Sequence, residues 1–321
     1  MDNQMPRQSS PGKSIKKLFR KIEKAKDKLK AAVSSEDRKR AHKELDDLKA
    51  QLAWQYLEAK EFEKAAGIYD KLPKDTHTRD RYCGKARILI ETQKYDEARK
   101  LLEEALLKFP DYVPVLNTLG ILYNNTGDHY EALRYLDRAL AIDPKNNQWS
   151  LNNKARALTF LGYYEEAHKN WNDLIEMMPD DPYYIVELAN CELQRGNLPN
   201  AIQSFRKAIE RGYESPRVYL GLCQGYSNMD CAYESFATAL EGANKFPEQE
   251  PLLYAFLGLG YMKLEQFEDS RTAFQRGLAL DPESELFPNL IETIEKKLKQ
   301  RKATKQKRKG PADDLGQGGL L

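Results

Sequence analysis

The chain reads as an all-α solenoid of antiparallel helix pairs, and three observations predict it. A small residue recurs through Ala65, Ala98, Ala132, Ala167, Ala201, Ser235 and Ser270, at spacings of 33, 34, 35, 34, 34 and 35. Four residues after each stands Tyr69, Leu102, Leu136, Trp171, Phe205, Ala239 or Phe274. Prolines close most of the units, at Pro110, Pro144, Pro179, Pro247 and Pro282. A fixed period of this length marks a repeat architecture, in which each unit buries its apolar face by stacking on its neighbours.

Two more columns complete the repeat. Nine residues before each small residue lies Tyr56, Leu89, Tyr123, Leu158, Glu192, Tyr226 or Tyr261. Three residues earlier again comes Ala53, Ala86, Gly120, Ala155, Ala189, Cys223 or Gly258. The small residues let two helices approach closely, and the large residue fills the gap against the next helix. Proline lacks an N–H and is tolerated at or before a helix start, so it resets the chain for the next unit. Turn residues split a unit into two helices, as at Asn125-Thr126-Gly127-Asp128 and Arg195-Gly196-Asn197.

The spacing predicts seven repeats across 46–284, at 46–78, 79–112, 113–147, 148–181, 182–215, 216–250 and 251–284. Some positions depart from the pattern. Glu192 stands where an aromatic or leucine is expected, Ala239 replaces a large residue, and no proline follows near Tyr213. The stretch 182–250 is therefore expected to be locally loose. The first repeat lacks several landmarks and has an early Pro73.

These landmarks resemble the tetratricopeptide repeat. The best-matching stretch is Val113 to Pro144, through Leu116, Leu119, Gly120, Tyr123, Ala132, Leu136, Ala139 and Pro144. Pro251 to Pro282 matches nearly as well, through Tyr254, Leu257, Gly258, Tyr261, Phe274 and Pro282. The resemblance implies a right-handed superhelix and a protein-binding scaffold or adaptor; the alternatives are a nucleic-acid-associated factor using its basic tails or a regulatory subunit of an enzyme complex, and the missing catalytic motifs argue against an enzyme. It also implies that the first helix of each repeat lines a concave groove. Carried over, its positions place Asn117, Asn152, Asn153, Arg156, Tyr183, Glu187, Asn190, Tyr219 and Gln224 in that groove, facing a peptide or helix of a partner. Asparagine offers both donors and acceptors to a peptide backbone, and tyrosine offers flat contact surface.

Some members of the family hold the acidic C-termini of heat-shock chaperones in a two-carboxylate clamp. Asn153 fits its middle position. The preceding repeat offers Asn117 and Ile121 and the following one Tyr183 and Glu187, in place of the required lysines and arginine. Chaperone tails are therefore expected not to bind, the more so because Glu187 would repel a carboxylate.

The ends differ from the array. Residues 1–12 are expected to be disordered, and 13–45 to form a basic helical, coiled-coil-like region. Ile15, Leu18, Ile22, Ala25, Leu29 and Ala32 step 3-4-3-4-3, a heptad seam. Ser34-Ser35-Glu36-Asp37 offers an N-cap for a second helix, whose seam runs on through Ala41, Leu45, Leu48 and Leu52. Three readings fit this region: a helical hairpin capping the solenoid, a basic amphipathic helix on an anionic membrane, or half of a coiled coil with a partner. At the other end, Leu286, Leu290, Ile294 and Leu298 predict a capping helix over 285–301. A basic, then glycine-rich, disordered tail is expected over 302–321. The cluster 296–309 also reads as a nuclear-localisation-like or polyanion-binding element.

Composition sets limits on function. Among 321 residues, 51 Lys and Arg against 49 Asp and Glu give a net charge of +2. Residues 1–32 carry +7 and 293–321 carry +6, leaving −11 for the body. An acidic body argues against gripping nucleic acid along its length, so nucleic acid or an anionic membrane would bind only at the basic ends. No apolar run approaches the roughly 18 residues of a transmembrane helix, and the start shows no secretory signal. Cys83, Cys191, Cys223 and Cys231 form no C-x-x-C pair and read as reduced packing residues, which points to the cytoplasm, or to the nucleus in a eukaryote. His42, His77, His129 and His168 are scattered, and no metal, cofactor or catalytic motif is expected.

Overall fold

In a computed structural model, residues 11–144 and 148–308 are described, and they form helices throughout, with no strand among them. The expectations for 1–10 and 309–321 lie outside the described residues. The chain divides into two compact units, one up to Tyr184 and one from Ile185.

The first compact unit holds α1 (Pro11–Ala31), α2 (Ser35–Glu58), α3 (Phe62–Lys71), α4 (Lys74–Glu91), α5 (Tyr95–Lys108), α6 (Val113–Thr126), α7 (His129–Ile142), α8 (Gln148–Phe160) and α9 (Tyr164–Met177). The heptad seam of α1 is filled from within the chain. Leu18, Ile22 and Ala25 are buried with Leu45, Leu48 and Leu52 of α2, and Lys28 pairs with Glu44 at 2.9 Å. Ser34 caps α2, its hydroxyl accepting from the Asp37 N–H at 3.0 Å. The hairpin is thus formed, and the apolar stripe that a membrane or a foreign coiled coil would need is already occupied. The second repeat begins earlier than its landmarks suggest. α4 starts at Lys74, immediately after Pro73, rather than near residue 79. Proline there ends α3 after 10 residues and stands as the N-cap of α4.

α10 (Tyr183–Arg195) crosses the division in its first turn. The second compact unit continues with α11 (Leu198–Glu210), α12 (Pro216–Asn228), α13 (Ala232–Lys245), α14 (Pro251–Lys263), α15 (Phe267–Leu280) and α16 (Leu286–Arg308). The looseness expected over 182–250 is not found: α10 to α13 have 13 or 14 residues each, like the helices of the regular repeats. Where proline is missing, Gly212 adopts a φ of 80° and closes α11, the Tyr213 N–H reaching the Ala208 carbonyl at 2.9 Å. Around Ala239 the core is completed by Tyr219, Leu253 and Tyr254.

One turn joins the two helices of every repeat. Lys60, Gln93, Gly127, Gly162, Gly196, Asp230 and Glu265 all have left-handed φ values, between 56° and 85°. In each case the next N–H reaches back to the carbonyl of Tyr56, Leu89, Tyr123, Leu158, Glu192, Tyr226 or Tyr261, at 2.8 to 2.9 Å. This is the six-to-one bond of a Schellman cap, which satisfies a helix-end carbonyl. The small residue of the second helix then donates to the carbonyl four residues before it, at 3.0 to 3.1 Å, and the helix begins.

The small columns pack as their size requires. Ala65, Ala98, Ala132, Ala167 and Ala201 are fully buried. The Ser235 hydroxyl donates to the Cys223 carbonyl at 3.1 Å, and that of Ser270 to the Gly258 carbonyl at 2.7 Å. These serines thus replace alanine without leaving a buried donor unmet. A Cβ on Gly120 would lie 2.5 Å from Leu136.

The final helix departs from its expected register and length. Phe287 and Ile294 are buried, while Leu286 is 42% exposed. The Phe287 ring fills the space beside Gly277, where a Cβ would come within 2.2 Å. α16 runs to Arg308, so the disorder expected from 302 does not begin there. Lys, Arg, Gln and Ala all favour helix, and no glycine or proline interrupts them before Gly310. Arg301 ties this extension back, donating to the Glu265 carbonyl at 2.7 Å and lying over Phe267 at 5.2 Å.

Candidate functional site

The first helices of the repeats carry the candidate binding positions. In the first compact unit α2, α4, α6 and α8 pack in sequence, α2 on α4, α4 on α6 and α6 on α8. Asn117 on α6 is half-buried, and its side-chain carbonyl accepts from the Ser150 hydroxyl on α8. Asn153 is buried in the packing. Its amide donates to the Trp149 carbonyl of its own helix at 2.9 Å, and its own carbonyl accepts from Asn124. Asn152 is also buried, and its Oδ1 has no hydrogen-bond partner among the described residues. Arg156 is half-buried one turn on. Tyr183 is buried, edge-on to Tyr184 with ring centres 5.4 Å apart.

Beside these stand residues that sequence reasoning missed. Trp54 of α2 meets Trp149 of α8 edge to face, with ring centres 5.7 Å apart. The Arg87 guanidinium lies 5.7 Å from the Trp149 ring and donates to Glu91 at 3.2 Å. Burial works against the Arg87 charge, and Glu91 and Glu58 support it. Burial likewise raises the Glu58 carboxyl, against the pull of Arg87. Trp54 and Arg87 follow Ala53 and Ala86 by one residue, as Arg156, Asn190 and Gln224 follow Ala155, Ala189 and Cys223. Trp149 shares its column with Tyr183. Carrying both columns back to the first repeats would have found all three.

In the second compact unit Glu187 is buried and bonded to Arg217 through both carboxylate oxygens, at 2.9 and 3.4 Å. The charge that sequence assigned to repelling a partner carboxylate is therefore paired. Asn190 is half-buried with its Nδ2 unbonded among the described residues. Gln224 is half-buried. Tyr219 is 1% exposed. Its hydroxyl donates to Glu241 at 3.0 Å and accepts from Lys245 at 2.8 Å. Burial raises its phenol. Five of the nine expected groove residues, Asn152, Asn153, Tyr183, Glu187 and Tyr219, are thus largely enclosed. Asn117, Arg156, Asn190 and Gln224 keep exposed surface.

Among the described residues no group of His, Cys, Asp and Glu is placed to hold a metal ion, and no helix is long and apolar enough to cross a membrane.

The sequence and the fold both have relatives. Tetratricopeptide-repeat family models match residues 89–157, 152–216 and 251–284, together about half of the chain. The chain is 27% identical over 186 residues to the TPR repeat-containing protein YpiA of Bacillus subtilis, covering 54% of this chain and 43% of that protein. It is 26% identical over 248 residues to the Hsp70-Hsp90 organizing protein of Triticum aestivum, covering 70% and 39%. The chain thus spans less than half the length of these relatives. Among solved structures, a tetratricopeptide repeat protein from Parabacteroides merdae aligns with a TM-score of 0.58 at 17% identity, covering 78% of this chain and 98% of that one. A chain of the APC/C hetero-tetramer Cut9-Hcn1 aligns with a TM-score of 0.63 at 14% identity, covering 86% and 52%. Family models, relatives, periodic turns and paired helices agree: the chain belongs to the tetratricopeptide-repeat family.

Proposed function

We propose that this protein is a scaffold that holds an extended segment or a helix of another protein on the first-helix face of its repeats. One observation carries this reading. In the first compact unit that face carries the half-buried Trp54, Trp149 and Arg156, with Trp54 edge-on to Trp149 and the buried Arg87 guanidinium against the Trp149 ring. Tryptophan and arginine are enriched among the few residues that carry most of the binding energy at protein interfaces. The names of the relatives, a chaperone-organizing protein and a chain of a hetero-tetramer, describe assembly and support the same reading. We place the scaffold in a reducing, cytoplasmic setting, consistent with free cysteines whose Cys83 and Cys223 thiols burial pushes up to about 12.

The test is site-specific photo-crosslinking in the native host. A crosslinker at Asn117 or Arg156 should capture one partner, while crosslinkers at exposed Lys169 and Lys207 on second helices should not. Capture only from Lys169 or Lys207 sinks the reading.

Acidic chaperone tails are not the proposed partner. With Glu187 paired to Arg217, it is the missing clamp cations, rather than repulsion, that disfavour such a tail.

A second reading has its own support. On α1, Lys16, Lys17, Arg20, Lys21 and Lys24 are exposed and have no carboxylate partner among the described residues. We infer that a polyanion such as nucleic acid binds this stripe, while the repeats recruit protein.

A further inference from the structure

The edge of the first compact unit where α6 turns into α7, and α8 into α9, carries an exposed aromatic cluster. Tyr130 is 64% exposed, Phe160 49% and Tyr163 45%. The hydroxyls of Tyr130 and Tyr163 are 3.4 Å apart. Phe160 stacks on His129 with ring centres 4.8 Å apart and planes within 3°. The rings therefore form one ledge rather than scattered surface residues. A soluble chain tolerates single exposed aromatics, but a contiguous patch calls for an occupant.

The repeat supplies its own control. Counted back from Ala132 and Ala167, Tyr130, Tyr163 and Phe160 stand two, four and seven residues before the small residue. At those three positions the first repeat has Glu63, Glu61 and Glu58, and the seventh has Glu268, Gln266 and Lys263. The same turn forms in all of them. The fold accepts charged residues at these positions, so it does not require the rings. Their presence in the third and fourth repeats needs another explanation.

We propose that this ledge docks an extended, proline-containing segment of a partner protein that also carries arginine or lysine. Flat aromatic faces take proline rings, and a polyproline helix leaves its carbonyls unbonded for hydroxyl donors such as those of Tyr130 and Tyr163. The Glu166 carboxylate lies beside Tyr163, and the Asp128 carboxylate, which caps α7 by accepting from the Glu131 N–H at 3.3 Å, lies beside His129; both charges suit a cation, which the rings also attract. Glu131 is committed to Arg134 at 2.7 Å, and the Arg156 charge acts on His129. The same acidic border disfavours nucleic acid and anionic lipid. An amphipathic helix would need an aliphatic groove, which rings and hydroxyls do not provide. This surface lies at the helix–helix turns and adjoins the first-helix face proposed above through Arg156 beside His129.

The test is selection of a random dodecapeptide display library on the full chain, with counter-selection on Tyr130→Ser/Phe160→Ser. Circular dichroism and thermal melting verify that the variant folds; Tyr130→Ser alone, at the most exposed ring, serves if it does not. The expected result is peptides with proline and a basic residue within three positions of each other. Their affinity, read by fluorescence anisotropy, should fall about tenfold or more in the variant and stay unchanged in Asn190→Ala. Four outcomes overturn the proposal: no enrichment, a consensus without proline, a helical pattern of apolar residues, or peptides that bind the variant equally well. Ring-dependent self-association in sedimentation without peptide would assign the ledge to a second copy and also overturn it.

Discussion

Gly120 and Gly277 mark where this fold tolerates no extra atom. Leu136, against Gly120, and Phe287, against Gly277, are both fully buried and have no room to retreat. Gly120→Ala and Gly277→Ala should each destabilise by about 1–3 kcal/mol through overpacking, seen as a lower urea midpoint with an unchanged slope. His129 makes a second prediction at this scale. Burial first, and then Arg156, lower its pKa below the ordinary value, against a weaker pull from Asp128. The unfolded chain therefore binds a proton near pH 6.5 that the folded chain refuses, so stability is lost as pH falls through that value. His129→Phe, which keeps a ring on Phe160, should flatten the acid side of a stability-versus-pH curve; an unchanged slope would place the loss elsewhere. Single residues of the site were only partly legible in the sequence. The groove column located Asn153, but a short amide can bond to its own helix as readily as to a peptide, and here it bonds to the Trp149 carbonyl. Trp54 and Trp149 are 95 residues apart in the chain, and only the stacking of four first helices brings them together.

The turn is the element that repeats most faithfully, and it was the least visible. Three of its seven left-handed positions are glycine, and two of those, Gly127 and Gly196, were read from the sequence. The others hide behind Lys60, Gln93 and Glu265, residues that give no turn signal, and behind Asp230, which gives a weak one. Tertiary packing imposes the turn there, at a local cost of about 1–2 kcal/mol per non-glycine residue. Gln93→Gly and Lys60→Gly should therefore stabilise the fold by up to about 1 kcal/mol, the added backbone entropy of glycine offsetting part of the relief. Asp230→Gly should gain less, because aspartate enters this region more readily. In the opposite direction, Gly127→Ala should cost about 1–2 kcal/mol. Melting temperatures of the four variants check the order; stabilisation by Gly127→Ala would refute the account of the turn. Helix ends were legible where a cap stood, as at Ser34. The register of α16 was not. Leu286 and Phe287 are adjacent and both apolar, and only the void beside Gly277 decides between them.

At the scale of the whole molecule, the sequence is basic at its ends and acidic in its body. The structure changes what the N-terminal end can do. Because α2 covers the apolar seam of α1, this helix cannot insert into a bilayer as a free amphipathic helix does. What remains outward is a rigid row of five cations, Lys16, Lys17, Arg20, Lys21 and Lys24, while Lys26, Lys28 and Lys30 are taken by Glu23, Glu44 and Asp27. A polyanion would meet charges already aligned along a formed helix, and would order only their side chains. If all five engage phosphates, the logarithm of the binding constant should fall with the logarithm of salt concentration at a slope of about −3.5 for a single strand and −4.5 for a duplex. Lys17→Glu/Lys21→Glu replaces only solvent-facing residues, so the melting temperature should hold while affinity for a labelled oligonucleotide collapses. A slope near zero, or affinity unchanged in that variant, would remove α1 from the second reading. Partner capture from Arg156 should be indifferent to the same substitution, because the cations lie on the outer side of the hairpin and Arg156 lies on α8. Loss of both together would mean that the two faces serve a single ligand.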